Sequence, residues 1–159
     1  MSFIDSDIND VIVYPIKKFN DDRGWLAELF RHDDIAEEFW PAMSYISFTN
    51  PGITRGPHDH VDQADLFCFL GPSTFKMRMW DNRHDSSTFN NRMTLYVGAD
   101  NAQAVIVPKG VVHGYQNIGD TDGMVINCPN RLYMGDGKRE SIDEIRHEDD
   151  PETQYKMQD

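Results

Sequence analysis

Three histidines carry the chemistry that this sequence offers. His58 and His60 stand one residue apart in "GITRGPHDH", and His113 lies in "PKGVVHGYQN". An imidazole titrates near neutral pH and ligates transition metals, so the histidines are open to two roles, proton transfer or metal binding. Residues two apart on a strand face the same side, so His58 and His60 can enter one pocket, where Asp65 and His113 can meet them. Three imidazoles and a carboxylate suit Fe, Mn, Ni or Zn, a divalent transition metal in each case. No serine or cysteine shares a recognisable motif with a histidine, so simple nucleophilic hydrolysis is poorly supported.

The elements that must position these groups read as strands. In "TFKMRMW", Phe75, Met77 and Met79 alternate with Lys76 and Arg78, the period of a half-buried strand. "DLFCFL", "MTLYV", "AQAVIVP" and "GMVINC" are further apolar or β-branched runs, separated by "GPST", "GADN", "PKG" and "GDTDG". Only "HDDIAEEF" and "RESIDEIR" look helical. Many short strands with short flanking helices predict an all-β sandwich or barrel, open between its sheets at one end. The N-terminal run "VIVYPI" can pair across a subunit interface or close its own sheet.

A chain of 159 residues with 39% hydrophobic content supports one domain with one core. Its formal net charge of −12 repels a polyphosphate backbone in bulk, which argues against general nucleic-acid binding. Much of that charge lies in "DSDIND" and "EDDPETQYKMQD", so a flexible acidic tail is expected from about residue 149. No apolar run approaches the roughly 20 residues that span a bilayer, and no leader pattern opens the chain. A cytoplasmic protein with no membrane partner is the expectation. Cys68 and Cys128 lie in apolar runs without zinc or redox spacing and read as buried thiols.

Gly52, His58, His60 and Asp65, followed by Pro108, Gly110, His113 and Asn117, resemble the two motifs of the cupin superfamily, with Asp65 where the motif has Glu. That resemblance implies a double-stranded β-helix, or jelly roll, over a single domain, residues 1–159. A more specific resemblance runs from about Phe19 to Pro151. The order "FNDDRGWLAELF", "GITRGPHDH", "DSSTFN", "AVIVPKGVVHGYQN", "NRLYM" and "IRHEDDP" is similar to the dTDP-4-dehydrorhamnose 3,5-epimerase family. The family implies a homodimer that binds a nucleotide-diphosphate 4-keto-6-deoxy sugar and requires no cofactor.

By position, the resemblance makes His58 the catalytic base, His113 a second pocket histidine and Tyr133 a phenol close to the sugar. It makes Arg23 and Arg55 the diphosphate grips, where a guanidinium fork suits phosphate oxygens. Phe19 and Glu28 match positions near the bound nucleotide sugar. Four departures accompany the match. Asp65 stands where the family has a lysine near the keto oxygen, and a carboxylate there opposes enolate formation unless protonated or metal-bound. The acid tyrosine aligns with Asn127, leaving Asn127 a pocket hydrogen-bond donor rather than an acid. The family's Q-x-N pocket pair is replaced by Met43 and Tyr45. The chain stops at Asp159, before the aspartate that pairs with the base, leaving His60, Asp59 or Asp65 to orient His58.

The leading expectation is a nucleotide-sugar epimerase or isomerase that deprotonates carbon next to a ketone. The alternatives are a metal-dependent cupin enzyme built on His58, His60, Asp65 and His113, and a noncatalytic sugar-nucleotide binding paralogue.

Overall fold

The computed structural model describes residues 2–158. Strands β1 (Ile4–Asp5) and β2 (Ile12–Pro15) lead into a hairpin of β3 (Lys18–Asp21) and β4 (Gly24–Ala27). They are followed by β5 (Tyr45–Thr49), β6 (Thr54–Asp59), β7 (Asp65–Gly71), β8 (Thr74–Asp81) and β9 (Asn91–Gly98). The last are β10 (Gln103–Val107), β11 (Val111–Asn117), β12 (Gly123–Asn127) and β13 (Ile145–Arg146). Two sheets result, in the orders β1-β9-β8-β11-β6-β13 and β2-β10-β7-β12-β5, with the hairpin apart from both. From β6 onward the chain passes repeatedly between the sheets, and the expected jelly-roll architecture is what forms.

The core fills the space between the sheets. Alternate residues supply it: Phe67 and Phe69 from β7, Phe75, Met77 and Met79 from β8, Val111 and Tyr115 from β11. Each buried side chain of this size contributes roughly 1.5–3 kcal/mol. The opposite face of β7 carries Leu66, Cys68 and Leu70, which pack with Ile106 and Cys128 beneath Leu29, Phe30 and Phe39. A strand covered on both faces is apolar throughout, which accounts for the unbroken "DLFCFL". Both cysteines are free and buried, as expected. Strand β2 pairs with β10, so "VIVYPI" closes its own sheet.

Three expectations are corrected. "HDDIAEEF" holds only a 3-10 turn at Glu37–Phe39, because Pro41 follows it closely and Asp33 and Asp34 turn back to Arg31. "RESIDEIR" is extended, not helical. The Asp143 carboxylate accepts the backbone N–H groups of Val61, Asp62 and Gln63, while Ile145 and Arg146 pair with β6. The flanking helices are thus short 3-10 turns, at Glu37–Phe39, Asp136–Lys138 and His147–Asp149.

The third correction concerns the acidic tail, which folds back onto the outer face of β8. Tyr155 and Met157 are buried against Trp80 and Val112. Arg78 donates to the carbonyls of Lys156, Met157 and Gln158. Two apolar side chains spaced two apart outweigh the acidic residues around them. Tyr155→Ala is therefore expected to lower stability by about 3 kcal/mol in urea unfolding, the cost of truncating a buried aromatic. An unchanged midpoint would show an undocked tail.

Candidate active site

The histidines meet because β6 and β11 are neighbours and His58 lies opposite His113. Close approach requires Gly56, at φ 80°, where a Cβ would lie 2.7 Å from the His113 carbonyl oxygen. On β7, Asp65 shares the inward parity of Phe67 and Phe69, which places a carboxylate at the open end of the core. The ring nitrogens of His58, His60 and His113 and an Asp65 oxygen lie within 4.8 Å of one another. The predicted quartet is therefore assembled.

Hydrogen bonds define the state of each group. His60 Nδ1 donates to the Asp143 carbonyl, and His113 Nδ1 donates to the Val111 carbonyl at 2.9 Å. A carbonyl only accepts, so both rings carry a proton on Nδ1 and turn Nε2 toward Asp65. His60 Nε2 lies 2.9 Å and His113 Nε2 3.3 Å from Asp65 Oδ2. Yet Asp65 Oδ2 and His113 Nε2 are buried without an aligned hydrogen-bond partner. A shared proton or a metal ion would satisfy atoms that converge in this way. The other carboxylate oxygen is satisfied by Gln63 at 3.0 Å and Asn127 at 2.9 Å.

Burial opposes charge on Asp65, but the adjacent His113 and His60 rings outweigh that and hold the carboxyl below its ordinary range. Burial likewise opposes protonation of His60, but the Asp65 carboxylate and the Asp143 carbonyl raise it to about 9. For His58 the balance runs the other way. Burial first, then the adjacent His113 and His60 rings, push it down to about 2. Within one cluster, the surroundings thus favour the protonated form of His60 and the neutral form of His58.

An open cleft of about 1310 Å3 lies over the cluster, lined by His58, His60, Gln63, Tyr45, Tyr133 and Glu144 among others. Tyr133 sits at its rim, 48% exposed. Asn127 is buried beneath it and donates to Tyr45 Oη at 2.8 Å. The remaining expected residues are elsewhere. Arg23 is on the β3–β4 turn, paired with Asp21 at 2.5 Å. Phe19 and Glu28 line a separate cleft of about 600 Å3 with Tyr14, Lys17 and Ile106. Arg55 bridges to β5, donating to Thr49 Oγ1 at 2.9 Å and the Phe48 carbonyl at 2.8 Å. Asp59, considered as a partner of His58, faces away and meets His147 at 2.9 Å.

The groups that do surround His58 are Glu144 and Glu148, whose carboxylates lie within 4.8 Å of its ring nitrogen. Arg146 holds both, at 3.3 Å and 3.2 Å. Glu144 precedes β13 and Glu148 lies in the 3-10 turn that follows it, so no sequence pattern signalled that both would reach His58.

The sequence matches the family described as dTDP-4-dehydrorhamnose 3,5-epimerase over residues 5–155. A probable low-salt glycan biosynthesis epimerase of Haloferax volcanii is 39% identical over 128 residues, covering 79% of this chain and 81% of that relative. The spore coat polysaccharide biosynthesis protein SpsL of Bacillus subtilis is 35% identical over 129 residues, covering 81% and 84%. A crystal structure of a dTDP sugar isomerase from Desulfovibrio desulfuricans shares the fold, with a TM-score of 0.75 at 20% identity over 87% of this chain and 84% of that one. The fold, the histidine cluster in its open end and these likenesses agree: the chain belongs to the dTDP-4-dehydrorhamnose 3,5-epimerase family, a family of carbohydrate epimerases.

Proposed function

We propose that the protein epimerises a 4-keto-6-deoxy sugar carried on a nucleoside diphosphate, with His58 as the base. The observation that carries this reading is the arrangement of the cluster: His58 lines the open cleft, while His60, beside it, stands 2.9 Å from the buried Asp65 carboxylate, which favours its protonated form. A proton next to a ketone becomes acidic when the enolate is stabilised. The charge of His60 supplies what the family's lysine would supply. Asp65 therefore supports enolate formation through His60 rather than opposing it. Glu144 and Glu148 stabilise the positive charge that His58 gains, and Tyr133 offers a phenol from the rim.

A homodimer fits the position of the remaining residues. The hairpin β3–β4 exposes Phe19, Trp25 and Leu26, and an isolated two-stranded hairpin is marginally stable in water. Strand β5, at a sheet edge beside the cleft, exposes Ile46 and Phe48. Docking a second copy's hairpin near that edge would cover both apolar surfaces and bring a second set of Phe19 and Arg23 toward the cleft.

One observation favours a second reading. Asp65 Oδ2 and the Nε2 atoms of His60 and His113 converge at 2.9 and 3.3 Å, close to the spacing between ligands about 2.1 Å from a common ion. The backbone carbonyls already hold both Nδ1 protons, the second shell that metal-bound histidines use. His58, His60, Asp65 and His113 would hold the ion, and a divalent transition metal would supply Lewis acidity to the keto oxygen when bound.

In deuterated water, the wild type is expected to introduce deuterium next to the ketone of dTDP-4-keto-6-deoxyglucose. His58→Ala should slow this at least 100-fold, within the usual contribution of a general base. Exchange that survives His58→Ala undiminished would remove His58 as the base. Untagged protein analysed by elemental mass spectrometry tests the second reading. Near-stoichiometric metal that disappears in Asp65→Asn, with a lower melting temperature after chelation, would support it, and metal-free wild type would reject it.

A further inference from the structure

Epimerisation inverts a carbon, so a proton must leave from one side and another must arrive from the opposite side. His58 stands on β6, in the six-stranded sheet. The donor has to reach the substrate from the facing wall, which the five-stranded sheet provides. On that wall Tyr45, at the start of β5, lines the cleft.

We propose that Tyr45 is the general acid that reprotonates the enolate on the face opposite His58. This rests on the epimerase reading above. Tyr45 and Asn127 are direct partners across β5 and β12. Asn127 donates its Nδ2 protons both to Tyr45 Oη at 2.8 Å and to Asp65 Oδ1 at 2.9 Å. The phenol oxygen therefore accepts from Asn127, and among the described residues its own O–H has no assigned acceptor, leaving that proton available to a substrate. Although 48% of the residue is exposed, burial at the phenol end, with Asp65 nearby, raises Tyr45 to about 12, so the group is protonated at working pH.

Positions 45 and 127 are cross-strand neighbours, about 5 Å apart, so the Tyr45 phenol stands on the same wall as Asn127, the position that the sequence resemblance aligned with an acid tyrosine.

The step balances. His58 takes the proton from carbon, and the C–H electron pair becomes the enolate. The Tyr45 O–H bond then breaks as a new C–H bond forms on the other face and the ketone is restored. The phenolate is stabilised by the Asn127 N–H, and solvent returns the proton from His58 to Tyr45.

The test is Tyr45→Phe with dTDP-4-keto-6-deoxyglucose in deuterated water, following recovered substrate and epimer separately by proton NMR. The expected result is that deuterium still enters recovered substrate through His58, while epimer formation falls on the order of 100-fold. Retained exchange also shows that the variant is folded. Wild-type epimer formation by Tyr45→Phe would overturn the proposal while leaving His58 as the base. Absence of exchange in the wild type would instead overturn the epimerase reading, and this proposal with it. Loss of exchange and epimer together in a variant with wild-type melting temperature would assign Tyr45 to binding or enolate stabilisation and overturn its role as the acid.

Discussion

The organisation of the cleft depends on one buried carboxylate. Asp65 is 2% exposed, at the end of a strand whose neighbouring inward residues are phenylalanines. An ionised group in such a place is costly unless it is paired and hydrogen-bonded. Gln63 and Asn127 satisfy one oxygen, and two histidines face the other. The carboxylate thereby fixes three things: the positive charge at His60, the orientation of Asn127 and, through Asn127, the direction of the Tyr45 hydroxyl.

The scaffold keeps this arrangement rigid by covering strands on both faces. Strand β7, which begins with Asp65, is buried along its whole length. The segment containing Leu29, Phe30 and Phe39 covers one sheet from outside, and Tyr155 and Met157 cover the other. Asp143 adds a local clamp. Its carboxylate caps the backbone of Val61, Asp62 and Gln63, and its carbonyl sets the His60 ring. Sequence, packing and protonation state are connected here through a few residues between β6 and β7.

Much of this was legible in the sequence, for physical reasons. Period-two alternation in "TFKMRMW" and the turn residues between apolar runs gave the β architecture, spacing put His58 and His60 on one face, and the resemblance to two cupin motifs added Asp65 and His113. Alternation within one short segment was less informative. In "RESIDEIR" the apolar spacing also fits a helix, and only the pairing of Arg146 with His58 and the Asp143 clamp decide for extension. Tyr155 and Met157, set among acidic residues, gave no sign that they would be buried. Motif matching also named Phe19, Arg23 and Glu28 without showing that they lie apart from the histidines within one chain. Nor does a linear sequence reveal that residues 45 and 127 are neighbours, so Tyr45 and Asn127 looked like two separate departures.

Whether Asp65 holds a positive charge on His60 while His58 stays neutral is measured most directly by titrating the histidine side chains with nitrogen-correlated NMR, on protein freed of metal by chelation, in the wild type and in Asp65→Asn. The expected result is a wild-type His60 that remains protonated through neutral pH and titrates near about 9, a His58 that stays neutral, and a clear fall in the His60 value in Asp65→Asn. A His60 that titrates near its ordinary 6.5 in both proteins would show that Asp65 holds no such charge.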